Sequence, residues 1–480
     1  MRFLIAASLA LAPVPTFAQA DVVAPILAEA GPGTRWGVVV ADAEGRQIVA
    51  IEPERRFIPA SNTKIVTTAA ALWARSRGQL ADQKASGAEV RLVPSRQSNA
   101  PDVVLTGRGD ARMSAAPSCV TDCLATLAEA VAAKTRAVRN IVGDATFFPD
   151  QRWSPGMSWN NIPSSSGTAI AALSVDDNEI TATVTPGPVG SPPVVALPSY
   201  FSVENHARTV AGDGEALAYD RLPGSRVLVI TGTIGAAQAP MSWRLGVDDP
   251  AHYAAWQLGE MLRARGVAVT GEASSRYRPL MPEDDPEKRS GPAPARPRGE
   301  KALAALEPPP LGEEIAIINK RSQNLYAELL LRRLGLARGT GSIADGQAVV
   351  EAMLAEAGVA EAQVSLFDGS GMSTYNRVAP RGTVRLLSWI AKRPWADEFR
   401  ASLPIGGLDG TLRRRFAGTP LAGRIFAKTG TLDATNALAG WLTASSGKVL
   451  TFAIYANDVP EGVPATAIMD RALVRLAEAN

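Results

Sequence analysis

The sequence predicts an α/β fold of the α+β kind, with one antiparallel sheet assembled from both ends of the chain and a long insertion between them. Three observations predict it. Residues 35–57, RWGVVVADAEGRQIVAIEPERRF, read as two strands turning at Glu44-Gly45. Residues 436–458, NALAGWLTASSGKVLTFAIYAND, read as a second hairpin turning at Ser446-Gly447, and a closing helix runs from about Ala465 to Glu478. Between these ends, about Asp82 to Leu306, the chain is richer in strand and turn patterns.

From the beginning, Met1 to Ala20 reads as a secretory signal: Arg2 is the positive region, Phe3 to Ala12 the apolar stretch, and Ala18-Gln19-Ala20 a small-residue cleavage site. An apolar stretch of that length falls well short of the ~20 residues a spanning helix needs, so no stable membrane span is expected and the mature chain is exported. No cysteine follows the signal, which argues against a lipoprotein. After the first hairpin, Pro59 precedes an Ala/Leu/Val/Ile-rich helical run with no Gly or Pro until Gly78, and Ser61 and Asn62 are cap-type residues at its start. In the insertion, EVRLV (89–93), DVVLTGRGD (102–110), RNIVGDATFF (139–148) and SRVLVITGTIG (225–235) read as strands. CLATLAEAVAAKT (123–135) reads as a helix, and PAHYAAWQLGEMLRARGVAVTG (250–271) as a helix followed by a strand. Residues 279–310 are crowded with proline and charge and are expected to form a mobile linker.

Composition narrows the class. The chain has 480 residues, 46% hydrophobic and 20% charged, with a net charge of +2, so two or three domains are expected. Nucleic acid is excluded as the main partner, because backbone binding needs a concentrated basic face and Arg413-Arg414-Arg415 is only a local cluster. Cys119 and Cys123 are the only cysteines, and in an oxidising compartment they read as a short-loop disulfide. A metal pair is disfavoured, since it needs further ligands and the only histidines are His206 and His252. Neither histidine lies near a serine motif, which argues against a Ser-His-Asp triad. The base, if there is a nucleophilic serine, is then a lysine.

Such a pair stands in PASNTKIVTTAAALW, where Ser61 and Lys64 lie one helical turn apart. A serine hydroxyl needs a base beside it at neutral pH, and a lysine can serve if burial keeps it neutral. Alone the S-x-x-K spacing is weak evidence. Downstream, IINKRSQNLYAELLLRRLG supplies Ser322-Gln323-Asn324, and RIFAKTGTLDATNALAGWL supplies Lys428-Thr429-Gly430-Thr431. S-x-x-K, S-x-N and K-T-G in that order form the signature set of penicillin-binding proteins and serine β-lactamases.

More narrowly, the chain resembles the serine D-alanyl-D-alanine carboxypeptidase/endopeptidase group of low-molecular-mass (class C) penicillin-binding proteins, in the branch with a large insert between S-x-x-K and S-x-N. IVGDATFF, AALSVDDNEI, DGSGMSTYNRVAPR and LPIGGLDGTLRRRF fit that branch too, so the resemblance covers nearly the whole mature chain. Two stretches depart from it, the Pro-rich 279–310 and TGRGDARMSA (106–115). The resemblance implies a penicilloyl-serine transferase domain, a five-stranded antiparallel sheet flanked by helices, formed by residues 21–82 and 307–480. It also implies two nested, mainly β domains within 83–306, one from about 83–150 with 245–306 and the other about 151–244. By the same resemblance Ser61 is the nucleophile and Lys64 its base, lowered by burial and by Lys428. Ser322 passes a proton to the leaving amine, and Asn324 positions Lys64 and the substrate amide. Lys428 supplies positive potential, Thr429 and Thr431 hold the substrate carboxylate, and Gly430 admits the substrate backbone. The Ser61 and Thr431 N–H groups form the oxyanion hole. No metal or organic cofactor is implied. The partners implied are peptidoglycan stem peptides ending in D-Ala-D-Ala and β-lactams as covalent inhibitors, in the periplasm after cleavage at Ala20. Lys320 reads either as a site-shaping residue or as a solvated helix-start lysine, Ser370 as structural or substrate-lining, and Asp409 as a turn or cap residue.

Three other readings compete: a serine β-lactamase, an amidase or esterase relative, and a non-catalytic penicillin- or peptidoglycan-binding protein. A β-lactamase of one class needs a glutamate-held water that no segment here matches, and the intact Ser61, Lys64, Ser322 and Lys428 argue against a decayed site. The sequence leaves the third stem-peptide residue, the oligomeric state and the balance of trimming against cross-link cleavage open.

Overall fold

The computed structural model describes residues 20–80, 87–294, 301–308 and 310–480. The leader reading over Met1 to Ala20 falls almost wholly outside them. A five-stranded sheet is built from both ends of the chain: β1 (Arg35–Ala41), β2 (Gln47–Ile51), β3 (Ile425–Leu432), β4 (Thr435–Thr443) and β5 (Val449–Asn457). Its order is β3-β4-β5-β1-β2 and every pairing is antiparallel, with Val39 opposite Ala453 and Lys428 opposite Ala439.

Alternation along the strands sorts the side chains into two cores. Val38, Val40, Leu438, Phe452 and Ile454 pack with α1 (Ala20–Ala28) and the C-terminal helix Ala465–Glu478 on one face. Val39, Ala41, Ala437, Ala439, Ala453 and Tyr455 face the other way. There they meet α2 (Thr63–Ser76) and Pro380–Ile390. Burying one such aliphatic or aromatic side chain is worth roughly 1.5–3 kcal/mol. A one-residue slip would exchange the two faces of a strand wholesale, so the period-two pattern pins the register.

Behind α2 lie α3 (Leu311–Lys320), α4 (Asn324–Gly335) and α5 (Ile343–Glu356). The segment α4 is buried almost all round, from Leu325 to Gly335. Such a helix needs apolar residues on every side, and its three interior charges therefore call for partners.

Among the described residues the insertion carries four further sheets, the smallest a two-stranded parallel pairing of 137–138 with 268–269. One has five strands in the order 273–278, 141–149, 102–106, 89–93, 304–305, mixed in direction and covered by helices Leu124–Ala132 and Pro250–Ala264. The other two are a three-stranded sheet (179–185, 194–196, 241–246) and a four-stranded one (202–205, 208–210, 215–220, 227–235). Cys119 and Cys123 are joined in a disulfide, their Cα atoms 5.8 Å apart.

The linker expectation for 279–310 fails over its first part. Asp284 is 1% exposed and takes both guanidinium nitrogens of Arg278, at 2.8 and 2.9 Å. Ser342 donates to the Asp284 carbonyl at 2.5 Å, and Arg289 forms a buried ion pair with Asp345. Proline and charge resist packing only when the charges lack partners, and here they have them. Ala304–Ala305 then pairs with residues 89–90 as an edge strand.

Candidate active site

The Ser61 motif lies on a 3-10 turn, Ala60–Asn62, which leads into α2. Ala60 has φ +46°, so the chain is forced through the left-handed region just before Ser61. The cap reading of Ser61 and Asn62 is corrected, since neither side chain caps the helix. Asn62 instead donates its amide to the Lys428 carbonyl at 2.8 Å, tying the turn to β3. Ser61 keeps its hydroxyl for Lys64.

Lys64 is wholly buried, and its Nζ makes three hydrogen bonds: to Ser61 Oγ (2.8 Å), Asn324 Oδ1 (2.7 Å) and the Ser370 carbonyl (2.6 Å). Burial pulls its pKa down to about 7, while Asp368 and Glu328 oppose the fall. Lys428, also wholly buried, donates to Ser322 Oγ at 2.9 Å and to the Thr429 carbonyl at 2.8 Å. Burial, and then the neighbouring Lys64, hold Lys428 well below the ordinary lysine value. Two ammonium groups this close and this dry do not both stay charged. The five residues Ser61, Lys64, Asn324, Ser322 and Lys428 thus converge on one cleft.

Ser322 stands between α3 and α4, not on a helix, with φ +59°. That left-handed backbone turns its hydroxyl toward Lys428. The K-T-G residues lie on β3, the edge strand of the sheet, whose outer side is bridged by residues 404–406 at Ile425–Ala427. Thr431 is exposed and Thr429 half-buried, its hydroxyl 2.8 Å from that of Thr411. Gly430 also has a reason within the fold. A Cβ there would meet the Pro59 carbonyl at 2.6 Å and the Asn62 nitrogen at 3.1 Å, so the glycine lets β3 press on the Ser61 turn.

Lys320 pairs with Asp409 and donates to the Leu403 carbonyl, joining the end of α3 to the 404–411 loop rather than entering the cleft. Asp409 accepts from the Ile405 N–H at 2.9 Å, a turn role. Ser370 contributes its backbone carbonyl to Lys64 while its side chain is buried. His206 and His252 lie in the insertion, and among the described residues no cluster of His, Cys, Asp and Glu could hold a metal.

Three contributors, Glu328, Ser166 and Thr411, escape the sequence reading, and Asp368 enters it only through the turn Asp368-Gly369-Ser370-Gly371, which the resemblance places near the site. Glu328 and Asp368 lie behind Lys64. Ser166, from the insertion, accepts the Asn324 amide through its carbonyl at 3.0 Å. Thr411 abuts Thr429. A signal for Glu328 was present: Asn324, Glu328 and Arg332 recur every four residues in an otherwise leucine-rich helix, which puts them on one face. Ser166 and Thr411 carry no such mark.

A serine hydrogen-bonded to a buried lysine, set between an antiparallel sheet and a helical layer, goes with the penicilloyl-serine transferase class of fold. The chain is similar to the D-alanyl-D-alanine carboxypeptidase of Actinomadura sp., 33% identical over 466 residues, covering 93% of this chain and 82% of that protein. Its fold is similar to penicillin-binding protein 4 of Haemophilus influenzae, with a TM-score of 0.74 at 21% identity over 93% of this chain and 97% of that one. The same protein complexed with a novel β-lactam matches with a TM-score of 0.70 at 22% identity, covering 94% and 98% of the two chains. A sequence profile of the D-Ala-D-Ala carboxypeptidase 3 (S13) family matches residues 19–479, and the chain belongs to that family.

Proposed function

We propose that this protein is a serine D-Ala-D-Ala carboxypeptidase that trims peptidoglycan stem peptides through an acyl-serine intermediate, with D,D-endopeptidase cleavage as the companion reaction the same chemistry allows. The observation that carries the reading is the buried Lys64 Nζ at 2.8 Å from Ser61 Oγ, with Lys428 and Ser322 completing the cleft. Family membership supports it.

Neutral Lys64 takes the Ser61 hydroxyl proton as Oγ bonds to the carbonyl carbon between the two D-alanines. The oxyanion is met by the Ser61 and Thr431 N–H groups. As the C–N bond breaks, Ser322 hands its proton to the departing D-alanine amine and takes one from Lys428; the proton Lys64 took from Ser61 passes on to Lys428, which leaves Lys64 neutral again. Water then attacks the ester, with Lys64 again as base, and frees Ser61. The terminal carboxylate sits at Thr429 and Thr431. Its charge raises the proton affinity of the nearby Lys428, so Lys428 becomes a source of positive potential when substrate is bound rather than in the free protein. A β-lactam offers the same acyl carbonyl and is trapped as the serine ester.

Export to the periplasm is part of the proposal, resting on the pattern of Met1 to Ala20 and on the disulfide. Among the described residues no helix is long and apolar enough to cross a membrane.

The test is labelling with a fluorescent penicillin, followed by peptide mass mapping and by assay of D-alanine release from a peptide ending in D-Ala-D-Ala. A stable adduct on Ser61, with both label and D-alanine release lost in Ser61→Ala, is the expected result. Rapid drug turnover would move the assignment to a β-lactamase. No adduct would favour a binding protein.

A further inference from the structure

The third partner of Lys64, the Ser370 carbonyl, belongs to the turn Asp368-Gly369-Ser370-Gly371, and this turn is held from behind by a buried carboxylate of α4. Glu328 Oε1 accepts from the Gly369 N–H at 3.0 Å and the Ser370 N–H at 2.9 Å. Its other oxygen takes Arg332 at 2.8 Å, one helical turn on. Asp368 adds a second carboxylate, accepting from the N–H groups of Gly371 (2.9 Å) and Ser373 (2.6 Å) and from the Asn376 amide (2.7 Å). Glu328, Asp368 and Arg332 are 4%, 1% and 2% exposed. In front, Thr67 donates to the Gly369 carbonyl at 2.7 Å, and a Cβ on Gly371 would meet the Ala60 carbonyl at 1.9 Å. The turn is therefore threaded between Glu328 and the Ser61 turn with no slack on either side.

The charges balance in a telling way. Facing Lys64 are Lys428 from β3, Glu328 from α4 and Asp368 from the turn, with Arg332 behind Glu328. Two carboxylates and one guanidinium leave a deficit of one positive charge, which one proton on the lysine pair fills. A second proton would leave uncompensated charge in a dry site.

We propose that Glu328 is a positioning residue of the acylation step. Through the Gly369 and Ser370 N–H groups it aims the Ser370 carbonyl at Lys64 Nζ, and through its negative charge it sets the pH at which Lys64 becomes a free base. Burial drives a lysine toward neutrality, and the nearby carboxylates limit how far it goes. Removing the Glu328 charge lets Lys64 deprotonate at lower pH. Removing the Arg332 charge, which offsets that of Glu328, does the reverse. General damage to packing has no reason to move the two variants in opposite directions.

The inference rests on the acyl-serine reading, and one of its two readouts does not depend on turnover. The chain has nine lysines, so selective 13Cε labelling with NMR can follow the titration of Lys64, assigned by its loss in Lys64→Arg. Penicillin acylation rates across pH supply the second readout. In Glu328→Gln the Lys64 midpoint and the acid limb of acylation are expected to fall by about one pH unit, and in Arg332→Gln to rise by a similar amount. Glu328→Asp keeps the charge but cannot span both N–H groups, so it should restore the midpoint while the plateau rate drops about tenfold. A Lys64 midpoint unchanged in Glu328→Gln overturns the proposal. Should that variant not fold, an unchanged or lowered midpoint in Arg332→Gln does so. Absence of any wild-type penicillin adduct would overturn the functional reading instead, while the NMR titration would still decide this one.

Discussion

At the residue scale the site is an exercise in keeping one buried amine neutral and aimed. Lys64 has no water to hydrate it, and its pKa near 7 follows from burial opposed by two carboxylates. The sign for activity is direct. Below that value Lys64 carries a proton and cannot take another, and above it the base is free. Acylation by penicillin should therefore rise about tenfold per pH unit on the acid side and level off above a midpoint near 7, measured by stopped-flow quenching. In Lys64→Ala the acylation rate should fall by at least ~1000-fold at all pH values, because no second base reaches Ser61 Oγ. Near-normal acylation in that variant would remove lysine from the base role.

At the element scale the site is made by two close approaches of backbone, each needing a glycine, and by two residues of unusual φ. Gly430 lets β3 meet the Ser61 turn, Gly371 lets the 368–371 turn meet it from the other side, and Ala60 and Ser322 take left-handed conformations. Gly371 has φ +88° as well as the 1.9 Å approach to the Ala60 carbonyl. Gly371→Ala should cost roughly 1–3 kcal/mol in backbone strain alone. Since relief of that strain displaces either Ser61 or the Ser370 carbonyl, acylation should drop by about 100-fold or more. The contrast is Gly418→Ala, where φ is also positive but a Cβ meets nothing within 4 Å. That variant should lose stability and keep its acylation rate, as thermal melts and labelling together would show.

At the scale of the whole molecule, α4 is the seam between the catalytic sheet domain and the insertion. Asn324 meets Ser166, Tyr326 OH donates to Asp177 at 2.9 Å, and Arg332 donates to the Gln151 carbonyl at 2.8 Å. On the far side of the same layer, the 279–290 segment is locked to α5 by Arg289 and Ser342. Asp284→Ala removes the acceptor of Arg278, which is about one-third exposed, so the cost is moderated by solvent. A loss of about 1–3 kcal/mol is expected in urea unfolding, with acylation little changed. No loss at all would return this segment to the mobile linker that its composition describes.

The candidate catalytic residues were legible because the proposed chemistry demands particular side chains at short spacing. Ser61 with Lys64, Ser322 with Asn324, and Lys428 before Thr429 each declare themselves within four residues. The two hairpins were legible for a like reason, since alternation and turn residues are local. Glu328 was half-visible, as a charge repeating with Asn324 and Arg332 along a leucine-rich helix. What no local pattern could contain is a meeting of distant backbones. That Ser370 offers a carbonyl to Lys64, that Ser166 caps the Asn324 amide, and that a proline-rich charged stretch is packed were decided only by tertiary structure. A backbone carbonyl has no letter of its own, and whether a charge is solvated or paired depends on what folds against it. The sequence by itself determined which atoms could react. The tertiary structure decided which of them is neutral, which way each points, and what holds it there.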